Sequence, residues 1–169
     1  AQAERLCEKL VKQRPGFADG HVQMGEFAMD RGDFAGAILH LSRGLELDPH
    51  HPDGHSLLGI VLSNLGNSDE AIGHFHRSLR IRPRHSETHN NLGTALRLQG
   101  RVIEAIHHFR QALQFSPQYA HGHNNLGIAL HSQGRIDEAI GHYREAIRID
   151  PNDAAAHFTL AGALAIQGA

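Results

Sequence analysis

Residues 86–119 read SETHNNLGTALRLQGRVIEAIHHFRQALQFSPQY, and residues 120–153 read AHGHNNLGIALHSQGRIDEAIGHYREAIRIDPND in the same register. Both stretches are copies of one 34-residue unit, and the rest of the chain keeps this period. Five of the six prolines recur at that spacing: Pro15, Pro49, Pro83, Pro117 and Pro151. A fixed period of this length is typical of stacked-repeat proteins, in which each unit packs on its neighbours.

Two columns of glycine, seven residues apart, divide the unit. They are Gly25, Gly59, Gly93 and Gly127, then Gly32, Gly66, Gly100, Gly134 and Gly168. Glycine inside a helix costs about 1 kcal/mol relative to alanine, so the first column predicts that a neighbouring helix approaches closely. The second column is predicted to end that helix.

A second helical segment follows the turn glycine. It carries small residues, and a larger residue four positions after each: Ala3, Ala37, Ala71, Ala105 and Ala139, then Cys7, Leu41, Phe75, Phe109 and Tyr143. This spacing places both on one helix face. Because proline cannot continue a helix, each unit is predicted to be a closed helical hairpin.

The columns set the expected helix bounds. First helices are predicted near 19–31, 53–65, 87–99, 121–133 and 154–166, and second helices near 2–13, 34–47, 68–81, 102–115 and 136–149. One hairpin cannot cover its own apolar face, so side chains should meet across repeat boundaries. We expect contacts between the first-helix residues Leu58, Leu92 and Leu126 and the second-helix residues Leu45, Leu79, Leu113 and Ile147.

The string His-Asn-Asn-Leu-Gly at 89–93 and 123–127, the following Gln-Gly, Asp-Glu-Ala-Ile at 137–140 and Asp-Pro at 150–151 resemble the tetratricopeptide repeat. The resemblance covers the chain as one domain, 1–169, with a half repeat at 1–17, full repeats at 18–51, 52–85, 86–119 and 120–153, and a half repeat at 154–169. It implies an all-α, right-handed superhelical solenoid of about ten helices in antiparallel pairs. Its concave groove would be lined by first helices. The His-x-Asn-Leu string and the closing helix also resemble the repeat arm of O-linked N-acetylglucosamine transferases.

Composition narrows the function classes. The 16 lysines and arginines against 18 acidic residues argue against nucleic-acid binding, which needs a basic surface. A single cysteine, Cys7, excludes an internal disulfide framework, and no apolar run approaches membrane-spanning length. We therefore expect a cytoplasmic protein without nucleic-acid or membrane partners. Because the chain starts at Ala1 and ends part-way through a repeat, we expect it to be a piece of a longer protein.

No catalytic motif stands out. The sequence holds no phosphate loop, no His-Glu-x-x-His, no paired cysteines and no nucleophile elbow, so we expect no catalytic residues, no cofactor and no metal.

Histidine is the unusual residue. Nine of the 16 form two columns: His21, His55, His89, His123 and His157, then His40, His74, His108 and His142. Metal binding and a pH response are the functional alternatives. We favour packing of a repeated residue at the inner edge of the hairpin, with one hydrogen bond. Consecutive members of a column lie about 8–10 Å or more apart, too far to share a metal.

The resemblance places function in the groove, in four rows of first-helix residues. The rows are Asp19, Asp53, Glu87 and His121; Gln23, Asn91 and Asn125; Glu26, Thr94 and Arg97; and Asp30, Asn64 and His131. An asparagine amide can bracket a peptide backbone, and in the transferase family an asparagine ladder does so. Here Asn91 and Asn125 match that position. Four acids, Asp19, Glu26, Asp30 and Asp53, should draw basic residues of a ligand toward the first repeat.

The predicted function is a non-catalytic scaffold that binds a protein or an extended peptide. The alternative is the substrate-recognition arm of a larger enzyme, an O-linked N-acetylglucosamine transferase-like glycosyltransferase. The closing helix exposes apolar residues, namely Phe158, Leu160, Leu164 and Ile166. Solenoids usually end in a polar cap, so either further repeats follow or another copy docks there by self-association through the open ends.

Overall fold

The computed structural model describes residues 2–167, which contain ten α-helices and no strand. The helices are α1 (Gln2–Gln13), α2 (Ala18–Asp30), α3 (Phe34–Leu47), α4 (Pro52–Asn64), α5 (Ser68–Ile81), α6 (Ser86–Leu98), α7 (Val102–Phe115), α8 (Ala120–Ser132), α9 (Ile136–Ile149) and α10 (Ala154–Gln167). Every second helix matches its expected bounds. First helices begin at or within one residue of the expected position. The predicted turn glycine Gly168 lies outside the described residues.

The chain divides into two compact units, one ending at Pro83 and the other beginning at Arg84. In the first unit, consecutive helices from α1 to α5 pack on one another, and the first helices α2 and α4 also touch. In the second unit, α6 to α10 pack in the same way, and α8 touches both α6 and α10. Each unit is therefore an all-α stack of helical hairpins, as the repeat period predicts.

Repeat boundaries inside each unit are closed by second-helix leucines. A Cβ atom placed on Gly54 of α4 would lie 3.1 Å from Cδ2 of Leu45, and one on Gly122 of α8 would lie 3.1 Å from Cδ2 of Leu113. Both leucines thus reach the first helix of the following repeat. This agrees with packing across repeat boundaries in general. The expected contacts with Leu58, Leu92 and Leu126 stay predictions.

The mid-helix glycines lie directly under a large side chain of the second helix. A Cβ on Gly93 would lie 2.7 Å from Cε1 of Phe109, and one on Gly127 would lie 2.5 Å from Cε1 of Tyr143. Real Cβ atoms do not approach carbon so closely, so only glycine lets these rings rest on the backbone of the first helix. The predicted close approach is confirmed.

The turn glycines adopt the left-handed conformation. Gly100 has φ +76°, and the N–H of Arg101 donates to the carbonyl of Leu96 at 3.0 Å. This is the hydrogen bond of a Schellman helix end, which favours glycine because it has no Cβ. The turn between the two helices of each full repeat is therefore set by one residue.

We expect Gly100→Ala to lower the free energy of unfolding by about 1 kcal/mol, because alanine is strained at positive φ. A Cβ at Gly100 meets nothing within 4 Å, so the cost would come from the backbone alone. Gly73→Ala is the matched control, since Gly73 lies inside α5 with equally open space. That change should stabilise by about 0.5–1 kcal/mol. Chemical denaturation of both variants checks this, and shifts of the same sign would contradict it.

Two histidines outside the columns cap helices. Nδ1 of His51 accepts from the N–H of Gly54 at 3.1 Å, and Nδ1 of His85 accepts from the N–H of Thr88 at 3.3 Å. A cap satisfies one of the free N–H groups at a helix start. These two residues thus have a structural role that the spacing alone did not reveal.

The last helix is apolar and largely uncovered. Phe158 is 82% exposed and Ile166 is 56% exposed, with Leu164 exposed and Leu160 half-buried. Three of the four residues expected at this surface are therefore exposed, and what covers them stays a prediction. Within residues 2–167, no helix has both the length and the apolar character that crossing a membrane requires.

Candidate functional site

The structure places every predicted site residue on a first helix. Four lie on α2, two on α4, four on α6 and three on α8: Asp19, Gln23, Glu26 and Asp30; Asp53 and Asn64; Glu87, Asn91, Thr94 and Arg97; and His121, Asn125 and His131. Because α2 touches α4 and α6 touches α8, each unit presents its own wall of neighbouring first helices.

The acids of the first unit are mostly engaged. Both carboxylate oxygens of Asp53 accept from Arg82, at 2.7 and 3.1 Å, and Asp19 accepts from Nε2 of His51 at 3.0 Å. Glu26 accepts from the side-chain amide of Gln23 at 2.6 Å. The four predicted acids should therefore attract a basic ligand less strongly than their number suggests, because part of their negative charge is neutralised within the protein.

Two buried asparagines organise the polar row of the second unit. The Nδ2 amide of Asn125 donates to Oδ1 of Asn90 at 2.9 Å, and the Thr159 hydroxyl donates to Oδ1 of Asn124 at 2.8 Å. Asn90 and Asn124 are 5% and 7% exposed. Each orients a residue on the next first helix. The predicted rows include only the second asparagine of each His-Asn-Asn string, although the doubled residue was the available signal for the first.

Arg97 and His131 occupy the same position in consecutive repeats, on α6 and α8. The row that grouped His131 with Asp30 and Asn64 is therefore wrong by one residue. Nε of Arg97 and Nε2 of His131 are both buried, and neither has a hydrogen-bond partner within residues 2–167. A buried polar group left unpaired costs about 1–3 kcal/mol. The wall of the second unit thus holds two unmet nitrogens.

The two histidine columns meet each other inside the hairpins. Nδ1 faces Nδ1 at 3.4 Å in His21 and His40, 3.0 Å in His55 and His74, 3.1 Å in His89 and His108, and 3.1 Å in His123 and His142. The favoured packing interpretation is supported, but the partner is a second histidine. Neither column taken alone reveals this partner. The constant separation of 19 residues between the columns was the available signal.

The proton positions in these pairs follow from a third group. Nε2 of His55 lies 3.1 Å from the carbonyl of Pro49, and a carbonyl can only accept. Nε2 of His55 therefore carries a proton, and in the neutral ring Nδ1 accepts from His74. The same proline carbonyl contact holds for His21 and His123. When their rings are neutral, these pairs are thus hydrogen-bonded with defined tautomers.

The ring geometry disfavours a metal ion between the paired nitrogens. In His55 and His74 the ring centres lie 5.2 Å apart and the nitrogens 3.0 Å apart. The difference is about two ring radii, so the nitrogens lie almost on the line between the centres. Two ligands of a tetrahedral metal instead point their lone pairs at a common apex. Within the described part of the chain, no group of three or more candidate ligands gathers.

Burial lowers the pKa of one histidine in several of these pairs. It lowers the pKa of His74 to about 4, with further lowering from His55 and Arg77. Burial also lowers the pKa of His40 and His142, and in each case the paired histidine lowers it further. At neutral pH the rings of His40, His74 and His142 are therefore uncharged.

Solved structures of several proteins share this fold. A chain of the APC/C hetero-tetramer Cut9-Hcn1 is 25% identical, with a TM-score of 0.91 over 96% of this chain and 33% of that one. MamA protein is 25% identical, with a TM-score of 0.77 over 90% and 83%. YrrB, described as a TPR protein with an unusual peptide-binding site, is 19% identical, with a TM-score of 0.78 over 96% and 84%. The likeness to YrrB shows the fold alone.

The chain spans about one third of the length of the Cut9-Hcn1 chain that it matches. No curated protein matches it by sequence. The resemblance to the glycosyltransferase arm stays a prediction. Family models described as tetratricopeptide repeat match residues 1–61, 54–118 and 86–152, which together cover most of the sequence. With its helical hairpins, turn glycines and packed repeat boundaries, the chain belongs to the tetratricopeptide-repeat family.

Proposed function

We propose that this protein-interaction scaffold binds an extended peptide segment of a partner protein on the first-helix wall of its second unit. The observation that supports this best is the pair of unmet nitrogens, Nε of Arg97 and Nε2 of His131. Because Nε of Arg97 is buried, this side chain would turn toward the ligand so that a ligand oxygen gives its N–H the partner that the folded chain does not supply. Binding would thereby recover the cost of a buried unpaired donor.

The spacing of the wall suits an extended chain. Neighbouring packed helices lie about 8–10 Å apart, and an extended peptide advances about 3.3 Å per residue. Arg97 and His131 would therefore reach acceptors about three residues apart on the same ligand. A peptide that presents carbonyl or carboxylate oxygens at that interval fits this wall.

Asn125 is prepared for the same ligand. Its bond to Asn90 uses one amide hydrogen and fixes the side-chain orientation. The amide oxygen and the second N–H can then bracket a peptide unit. A polar group whose orientation is already set loses less entropy when a ligand binds. Asn91, half-buried at the same position of α6, would continue the row.

On the first unit, acidic side chains would make a smaller electrostatic contribution to ligand binding. Asp30 is exposed and forms no ion pair within residues 2–167, so it would attract a basic ligand residue. The paired Asp19 and Asp53 would contribute less. In this proposal the chain binds its ligand and catalyses no reaction.

Peptides selected from a random display library against the full chain provide the test. We expect Arg97→Ala to weaken the binding of the selected peptides at least tenfold, because the buried donor anchors the ligand. Arg97→Ala combined with His131→Ala should weaken it further. Isothermal titration calorimetry measures both effects.

Arg144→Ala is the matched control, since Arg144 is an exposed arginine on the second helix α9. Its peptide affinity should equal that of the unchanged protein. Peptides that bind equally well to the Arg97→Ala and His131→Ala variants would show that the ligand uses another face.

A further inference from the structure

A cavity of about 540 Å³ lies in the first unit, apart from the predicted site residues. Its lining residues come from the end of α3, the following turn, α4 and the second half of α5: Leu45, Pro49, His50, His55, Arg77, Arg80 and Ile81. None of the first-helix residues assigned to peptide binding takes part. The cavity therefore needs an explanation of its own.

The two arginines break the pattern of the other full repeats. In α3 the equivalent positions hold Arg43 and Glu46, which form an ion pair at 2.8 Å. In α9 they hold Glu145 and Arg148, paired at 2.6 Å. The α7 positions hold two glutamines. Three full repeats are thus neutral at these positions, whereas α5 carries two positive charges three residues apart.

Nothing in the cavity wall compensates those charges. Its lining contains no carboxylate, and Arg77 and Arg80 form no ion pair within residues 2–167. Asp69 and Glu70 line a separate cavity, together with His74 and Arg77. Like charges three residues apart on a helix repel each other. A bound anion would remove that repulsion.

The His55 imidazole in the cavity wall is affected by the two arginine charges. Burial lowers the pKa of His55, and the charges of Arg77 and Arg80 lower it further, against the opposing effect of the Pro49 carbonyl. The exposed His50 adds a further N–H donor at the rim. The cavity therefore offers two guanidiniums and an imidazole to a ligand, together with an apolar floor.

We propose that this cavity binds a phosphate group, a tetrahedral oxyanion with a charge near −2. Two planar guanidiniums match both its charge and its arrangement of oxygens, which is why arginine favours phosphate. Leu45, Pro49 and Ile81 form the apolar part of the wall and would contact the group that carries the phosphate. The phosphate belongs either to a phosphorylated side chain of a peptide or to free inorganic phosphate, which has no such group attached.

The first experiment titrates the full chain with inorganic phosphate at constant ionic strength, followed by calorimetry and by NMR shifts of residues around His50. We expect saturable binding that weakens at least tenfold in Arg80→Glu. This variant recreates the Arg43 and Glu46 arrangement of α3, so it should fold normally. Absence of saturable binding, or equal affinity in the variant, would overturn the proposal.

Two peptides with a central phosphoserine or serine, flanked by leucine and isoleucine, separate the sources of the phosphate. A phosphopeptide that binds tighter than inorganic phosphate, while the serine peptide does not bind, assigns the site to a phosphorylated partner. Equal affinity of phosphopeptide and inorganic phosphate assigns it to the free anion. Because Arg97→Ala leaves this cavity intact, its phosphate affinity should not change, which separates this test from that of peptide binding.

A gain of function gives an independent check. Glu46→Arg combined with Gly16→His would place two arginines on α3 and a histidine at the position of His50, where Val11, Pro15 and His21 already occupy the positions of Leu45, Pro49 and His55. We expect the phosphate stoichiometry to rise from one to two. An unchanged stoichiometry would count against the claim that the arginine pair creates the site.

Discussion

Phe109→Ala is expected to lower the free energy of unfolding by about 3–5 kcal/mol, the usual cost of removing a fully buried phenylalanine. The ring is 0% exposed and rests on the bare backbone at Gly93. Its removal would leave a void that alanine cannot fill, because the helices on both sides are held by their own repeats. Guanidinium denaturation followed by circular dichroism measures the loss.

Three further variants make this prediction specific. Phe109→Leu copies the arrangement of Leu41 over Gly25, so it should cost less than half as much. Ile103→Ala, on the same helix but 70% exposed, should change stability by less than about 0.5 kcal/mol. Gly93→Ala should destabilise the unchanged protein and partly rescue Phe109→Ala, with a coupling of about 1–2 kcal/mol. A cost for Phe109→Ala no larger than that of Ile103→Ala would contradict the packing described here.

Acid is expected to destabilise the protein between about pH 6.5 and pH 4, through the buried histidine pairs. The folded pKa of His74 is about 4, below its ordinary value of 6.5. In this window the unfolded chain binds more protons than the folded one, so lowering the pH favours unfolding. The contribution is fully present above pH 6.5 and is lost as the pH falls toward 4. The full lowering is worth about 3 kcal/mol, but water screens a half-buried ring, so we expect about 1–2 kcal/mol.

The charges around each histidine pair decide how much that pair contributes to the loss of stability in acid. Asp33 opposes the lowering of the pKa of His40, and Glu138 and Glu145 oppose it for His142. For His74, no carboxylate opposes the lowering of the pKa, and the neighbouring His55 and Arg77 both add to it. Among the pairs that contain His40, His74 and His142, the pair of His74 with His55 should therefore lose the most stability in acid.

Denaturation curves at about pH 7.5 and pH 5 test this, because most carboxylates remain ionised at both values. His74→Gln keeps a hydrogen-bond donor without a titrating ring, so it should lose less stability on acidification than the unchanged protein. His107→Gln, exposed on α7, is the control and should keep the full acid sensitivity. Identical pH dependence in all three proteins would rule out the histidine pairs as its source.

Helix bounds and core columns were predictable because local residues decide them. Gly100 ends α6 by its own backbone preference, and Pro117 follows α7 where no helix can continue. Gly93 and Phe109 could be recognised as partners because they recur in phase over several repeats. A glycine or an aromatic residue at one position is a weak indication of packing, but its recurrence every 34 residues makes the indication strong.

The candidate site was less predictable. The predicted site residues do lie on the first helices α2, α4, α6 and α8. The sequence did not indicate that the Asp53 carboxylate would form an ion pair with Arg82. It also did not show that Arg97 and His131 would each keep an unmet nitrogen. Whether a polar side chain is free or engaged depends on neighbours that come from other helices.

The sequence by itself determined the period, the helices, the turns and the columns that form the core, since each follows from local conformational preferences repeated every 34 residues. Only the tertiary structure decided which polar groups meet: His55 with His74, Asn125 with Asn90, and Asp53 with Arg82. Hydrogen bonds form within a few tenths of an ångström, and that distance depends on how two helices pack. A sequence spacing of 19, 35 or 29 residues carries no such information until the helices are in contact.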